Sequence, residues 1–132
     1  MSTFHLKIST PDGLKFDGEV ERLRVRMIDG DVSLLAHHMD YVSAVGAGEA
    51  AIVMADGQSR SAACIGGMLA MIHNEANLIA TTFEWADEID LERAKRAKEA
   101  AEARIAAAND AKELMLAQAK LQRALVRIGV KH

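Results

Sequence analysis

One cysteine, one proline, one tryptophan and one tyrosine are spread over 132 residues. The lone Cys64 excludes an internal disulfide framework and a cysteine-rich zinc site, and it fits a reducing compartment. No segment approaches the roughly 18 consecutive apolar residues that a membrane-spanning helix requires. The opening Met1-Ser-Thr-Phe-His has no apolar run behind a basic start, so no secretory signal is expected. Positive charge is short as well: the formal net charge is −3 and the pI about 5.9. Without a cationic surplus to meet a phosphate backbone, nucleic acid is not an expected partner. A Walker-type loop and a His-Glu-x-x-His motif are both absent.

What is present is unevenly distributed. Eight of the nine glycines and Pro11 lie before residue 68, whereas residues 90–127 hold 12 alanines and neither glycine nor proline. Charge divides at the same place. Up to Phe83 there are 10 acidic and 6 basic residues, net −4; from Glu84 onward there are 9 acidic and 10 basic, net +1. Two units are therefore expected, 1–84 and 88–132, meeting near residues 84–88.

The first unit reads as strands. Residues 19–28 alternate, with Leu23, Val25 and Met27 on one face and Arg22, Arg24 and Arg26 on the other, the period of a half-buried strand. Asp12-Gly13, Asp29-Gly30 and Asp56-Gly57 supply the positive φ of tight turns. A hairpin is expected from 51–55 to 58–64, with further strands at 4–9, 32–35, 41–45, 68–73 and 78–82 and a last turn at Asn74-Glu75. Many short strands without intervening helices point to a β-sandwich or flattened barrel.

From Asp90 the period changes. Leu91, Ala94, Ala97, Ala101, Ile105 and Ala108 share one side of a helix, and Glu92 stands four residues before Arg96. Asp110 with Glu113 has the form of a capping box and opens a second stripe, Leu114, Ala117, Leu121, Leu125 and Ile128, closed by Gly129. Two helices of roughly 18 residues in an antiparallel hairpin follow. About half a dozen large apolar side chains, at roughly 1.5–3 kcal/mol each, face inward. Ordering about 40 backbone residues costs as much or more, so the helices form readily but dock weakly.

Chemistry is sparse. Gly46-Ala-Gly48-Glu-Ala-Ala51 fits a dinucleotide fingerprint formally, but a β-like run follows it instead of a helix, and a loop between strands is the expectation. His37, His38 and Asp40 are the densest group of possible metal ligands; adjacent histidines on a strand face opposite ways, so a surface turn is expected. Cys64 reads as a core residue. The stripe of Arg22, Arg24 and Arg26 is either a solvated face or a protein dock, which leaves a free-standing adaptor as one alternative.

Taken together, Phe4-His-Leu-Lys-Ile-Ser-Thr-Pro-Asp-Gly, Phe16-x-Gly18-Glu-Val-Glu-Arg-Leu-Arg-Val, Gly30-Asp31, Gly66-Gly67-Met-Leu and Glu84-Trp-Ala-Asp-Glu-Ile-Asp-Leu-Glu-Arg resemble, in order and spacing, the epsilon subunit of bacterial F-type ATP synthases. The resemblance implies an α+β fold: a ten-stranded β-sandwich followed by the helical hairpin. It implies a non-catalytic rotor subunit in the central stalk, peripheral to the cytoplasmic face of the membrane. The sandwich would join the gamma subunit to the ring of c subunits. The hairpin would swing from a folded to an extended state that reaches the alpha/beta hexamer and blocks ATP hydrolysis.

No obligatory cofactor is implied, but some family members bind ATP as a regulatory ligand through an Ile/Leu-Asp-x-x-Arg-Ala motif. Here it stands as Ile89-Asp90-Leu-Glu-Arg93-Ala94, with Glu84, Arg123 and Arg127 on the other nucleotide-contacting positions. A helix cap at Asp90, with arginines that are solvated or that meet acidic segments of the catalytic subunits, is the structural alternative. A small ATP-sensing module without rotor function is the other. Two departures stand out: Ala100 occupies a position that is basic in some ATP binders, and the loop Ala36-His37-His38-Met39-Asp40 lacks the family's Pro-Gly-His and Ala-Pro.

Overall fold

The computed structural model describes residues 2–131; Met1 and His132, the outer ends of the two expected units, lie outside the described residues. Seven strands come first: β1 (Phe4–Thr10), β2 (Gly13–Met27), β3 (Gly30–Leu35), β4 (Tyr41–Ala44), β5 (Ala47–Met54), β6 (Ser59–Ile72) and β7 (Glu75–Trp85). A 3₁₀ turn at Ala86–Glu88 leads into α1 (Leu91–Ala107) and α2 (Ala111–Lys131).

The strands run β1-β7-β6-β5-β2-β3, with β4 on β6. Because β1 also pairs with β2, β1, β7, β6, β5 and β2 close on themselves as a flattened barrel, with β3 beside β2 and β4 beside β6 as edge strands. Seven strands stand where the resemblance implied ten, because three are long and serve more than one neighbour. The first half of β2 pairs with β1 and its second half with β3 and β5. Likewise β6 pairs with β5 at one end and β4 at the other, and β7 adds β1 alongside β6.

Two irregularities set which side chains enter the core. A register shift between Val20 and Arg22 puts Val20 and Leu23 both inside, although a regular strand would turn them to opposite faces. In β6 the phase changes at Gly66 and Gly67, with φ of 72° and 113°. Cys64 is buried before the pair, Leu69 and Met71 after it. The two strands expected at 58–64 and 68–73 are therefore one strand, bent at the glycine pair between them. A Cβ on Gly67 would lie 1.9 Å from the Ile79 carbonyl oxygen, so no other residue fits.

The other turns are mostly where expected. Gly13, Gly30 and Gly57 all take positive φ. The last turn is one residue earlier than expected, at His73 and Asn74, both with positive φ, while Glu75 already pairs with Ile72. The dinucleotide-like stretch is mostly the start of β5 rather than a loop. Its glycines admit close neighbours: a Cβ on Gly46 would meet the Met27 carbonyl oxygen at 2.8 Å and one on Gly48 the Arg26 Cβ at 2.7 Å.

The helices pair through alanine. Ala94 and Ala101 on α1 and Ala117 and Ala124 on α2 are buried, each pair seven residues apart. Alanine at these positions lets the axes approach closely. The expected stripes are corrected accordingly: Ala97 is exposed, and Leu114 and Leu125 remain 36% and 47% exposed, because large side chains here would hold the helices apart.

Asp90 caps α1 by accepting from the Arg93 amide at 3.1 Å. Asp110 accepts from the Glu113 amide at 2.8 Å, while the Glu113 carboxylate accepts from the Asn109 amide, one residue before the N-cap amide that a standard capping box uses. Glu92 meets Lys95 at 3.9 Å instead of Arg96. Gly129 does not end α2. Val130 is buried beside Ala63 and Ile89, and Lys131 Nζ donates to the Ala86 carbonyl at 3.0 Å, so tertiary contact carries the helix through it.

Candidate functional site

Ala62, Ala63 and Cys64 are consecutive and all buried, because β6 is covered on both faces. Ala62 and Cys64 face the sandwich core, whereas Ala63 faces outward onto Ile89 and Val130, with Ala86 and Val126 at the margin. This small cluster is where α2 docks. Beside it the Arg127 Nε donates to a Glu84 carboxylate oxygen at 2.7 Å, joining α2 to the end of β7. Burial pushes the Cys64 thiol up to about 12, which keeps it neutral and unreactive in place.

Around the Glu84–Arg127 pair the fold assembles most of the expected site. Glu84, Asp90, Arg93, Ala94 and Arg127 line one cleft of about 270 Å³, together with Glu88 and Ala97. Arg123 does not enter it. It lines an adjoining cleft of about 310 Å³ between the helices, floored by Ala97, Ala100 and Ala101 and walled by Arg104, Lys120 and Arg127. Ile89 sits in the docking cluster, so of the seven expected residues it is placed for packing. Asp90 spends one carboxylate oxygen on its cap, and Glu88 accepts from the Trp85 amide at 2.9 Å. Arg104, Lys120 and Glu88 were not anticipated. A signal existed for two of them, since Lys120, Arg123 and Arg127 fall at helical spacing on one face and Arg104 is one turn beyond Ala100.

The sandwich carries a different kind of surface. Register pairs Val42 with Ala70 and Met68 with Ile79, giving one outward face on which Val42, Met68, Ile72 and Ile79 are 46–59% exposed. A contiguous apolar face of this kind marks a protein contact. The arginine stripe is different: Arg24 meets Glu49 at 2.7 Å and Asp31 at 3.7 Å, and Arg26 meets Asp31 at 3.8 Å, so two of its three cations are paired within the fold. In the histidine loop, Asn74 accepts from the His37 amide at 2.6 Å and Asp40 from the His73 amide at 3.0 Å. These side chains tie two loops together, and no group of three metal-binding side chains occurs among the described residues. No helix among them is long and apolar enough to cross a membrane.

The fold is thus a β-sandwich with an exposed apolar face, carrying a two-helix hairpin docked through a small apolar cluster. The chain belongs to the ATP synthase delta/epsilon chain family: its beta-sandwich domain matches residues 3–86 and its long alpha-helix domain residues 87–131. The ATP synthase epsilon chain of Caldicellulosiruptor bescii is 37% identical over 128 residues, 97% of this chain and 93% of the relative. The sodium ion specific ATP synthase epsilon chain of Acetobacterium woodii is 37% identical over 103 residues, 78% and 77% of the two chains. Among solved structures, a chain of the Euglena gracilis mitochondrial ATP synthase superposes with a TM-score of 0.82 at 18% identity, covering 92% of this chain and 77% of that one. At that identity the superposition speaks for the fold alone.

Proposed function

We propose that this chain works as the non-catalytic epsilon-type subunit of an ATP synthase central stalk, peripheral to the cytoplasmic face of the membrane. In this reading residues 1–84 form the foot that joins the gamma subunit to the c ring, and residues 88–132 form a regulatory arm. The face of Val42, Met68, Ile72 and Ile79 is the surface offered to gamma. The acidic balance of the sandwich stays on the rotor, while the basic arm reaches the alpha/beta hexamer when extended.

The observation that carries the reading is the size of the docking contact. Among the described residues, α2 meets the sandwich and its link through a small apolar cluster, the Arg127–Glu84 ion pair and the Lys131–Ala86 hydrogen bond. Gross docking strength is about 3–5 kcal/mol before ordering costs. Inverting a two-state equilibrium from 99:1 to 1:99 takes about 5.5 kcal/mol of differential binding. Contacts with a large partner supply that much, so the arm is releasable without unfolding the sandwich. Deleting residues 88–132 should leave the complex assembled and raise its ATP hydrolysis; unchanged hydrolysis would make the hairpin structural only.

A second reading concerns the ligand. The two clefts share Ala97 and Arg127 and lie between elements that separate when the arm extends. ATP held there would select the folded arm, as a ligand must when it binds one state alone. Calorimetry of the full chain with and without Arg93→Ala tests this, and no heat at millimolar ATP refutes it.

A further inference from the structure

A third cleft, of about 360 Å³, lies where the β1–β2 hairpin, the end of β7 and α2 meet. Charge lines it: Asp12 from the β1–β2 turn, Lys15 from the start of β2, Glu84 from β7, Glu88 from the 3₁₀ turn and Arg127 from the arm. Lys15 is there because of a β-bulge. Ile8 pairs with Phe16 and Ser9 with Leu14, so Lys15 is left out of the ladder, and a bulge re-aims the side chain of the residue it frees. Lys15 is half-buried, and among the described residues its ammonium has neither an ion pair nor a hydrogen bond. Lysine is rarely withdrawn from water without a partner. Of the carboxylates in the cleft, Glu88 accepts from the Trp85 amide and Asp12 lies exposed on its turn. Glu84 is the one whose partner can leave: its side chain is 32% exposed and its bond is to Arg127 on the arm. Release of α2 would strand this partly desolvated charge at the end of β7.

We propose that Lys15 is the stand-in partner of Glu84: it stays unpaired while Arg127 holds the carboxylate and takes the carboxylate over when the arm is released. This rests on the releasable-arm reading above and names a residue of the sandwich that sets its bias. The flexible four-carbon stem of a lysine carries the ammonium across a cleft of this size without movement of the backbone. The exchange stabilises the released state alone, and any group that interacts differently with two states shifts the population between them. Lys15 therefore works against docking, although it forms no bond to the arm. Lys15 and Arg127 also share the cleft as like charges, and their repulsion would act in the same direction without any exchange. The two effects separate at Glu84, because only the exchange needs its carboxylate.

Energy transfer between dyes on Gln58→Cys and Asn109→Cys of the full chain tests it, in a Val130→Ala background that loosens docking and brings released arms into the measured range. Lys15→Gln should raise the docked-to-released ratio about threefold, the size expected of one partly exposed ion pair. Lys15→Arg keeps the charge and should leave the ratio where it was. With Glu84→Gln already in place, Lys15→Gln should change nothing. A ratio that Lys15→Gln leaves unchanged or lowers, with the sandwich melting as before, overturns the proposal and spares the releasable arm. An effect of equal size with and without Glu84→Gln also overturns it and assigns Lys15 to repulsion of Arg127. An arm that stays fully docked in the Val130→Ala background overturns the releasable-arm reading, and the proposal with it.

Discussion

Val130→Ala isolates the docking contact. Val130 is 9% exposed and packs with Ala63 and Ile89, apart from the sandwich core cluster and from the alanine seam of the hairpin. Removing two methyl groups at about 0.8 kcal/mol each, with incomplete collapse of the gap, weakens docking by about 2 kcal/mol. At 1.4 kcal/mol per tenfold, the docked-to-released ratio falls about 30-fold, so a docked fraction of about 99% drops to about 80%. Energy transfer between dyes on Gln58→Cys and Asn109→Cys reads this fraction. Labelling stays confined to the introduced thiols, because burial holds the Cys64 thiol pKa at about 12. The sandwich should melt at its wild-type temperature. Unchanged transfer, or melting that falls by several degrees in step with undocking, would refute a separately releasable arm.

Three further outcomes follow from local geometry. Gly67→Ala places a Cβ 1.9 Å from the Ile79 carbonyl oxygen at a φ of 113°, and should cost more than about 3 kcal/mol or abolish folding, read by denaturant melts. Asp110→Ala removes the acceptor of the Glu113 amide and should cost about 1 kcal/mol, visible as reduced helicity and earlier hairpin melting by circular dichroism, with the sandwich unaffected. Cys64 titrates near 9 unfolded and near 12 folded, so the folded state holds its proton longer. Stability gained from this difference is therefore complete below about pH 9 and is lost as pH rises toward 12; Cys64→Ala should flatten that decline in urea melts, and an identical decline would refute it.

The strands were legible wherever one physical rule acted alone. Alternation in residues 19–28 gave the buried Leu23, Val25 and Met27, and each Asp-Gly pair gave a glycine at positive φ. Misreadings arose where two rules share a signature. Strands expected at 58–64 and 68–73 left Gly66-Gly67 between them, yet the pair bends one continuous strand, and the same residues that permit the bend also reverse which face is buried. Gly129 looks like a helix stop, but the contacts of Val130 and Lys131 with the sandwich override a local preference worth only about 1 kcal/mol. On α2 the expected stripe put Leu114 and Leu125 inside together with Ala117, whereas close approach of the axes buries Ala117 and Ala124 and leaves the two leucines exposed. Size, which a hydrophobic pattern ignores, decided the face.

For the site, proximity in sequence was informative only near the motif. Asp90, Arg93 and Ala94 lie together because one helix turn holds them, and Glu84 joins them across the short link from β7. Arg104 and Lys120 come together only through the antiparallel pairing of α1 and α2, which Asn109, Asp110 and the alanine seam fix jointly. The same pairing refines the charge division between the units. The net +1 from Glu84 onward hides a cleft lined by Arg104, Lys120, Arg123 and Arg127 and by no carboxylate, and Glu84, the first acid of that segment, reaches across to Arg127 from outside it. The arm is held by this contact, the Lys131–Ala86 hydrogen bond and the apolar cluster beside them, and Arg127 bonds Glu84 through Nε, which leaves its other guanidinium nitrogens for a ligand that favours the docked arm. Arg127 lines both clefts and ties α2 to the end of β7, so it is common to the docking contact and to the helix pair.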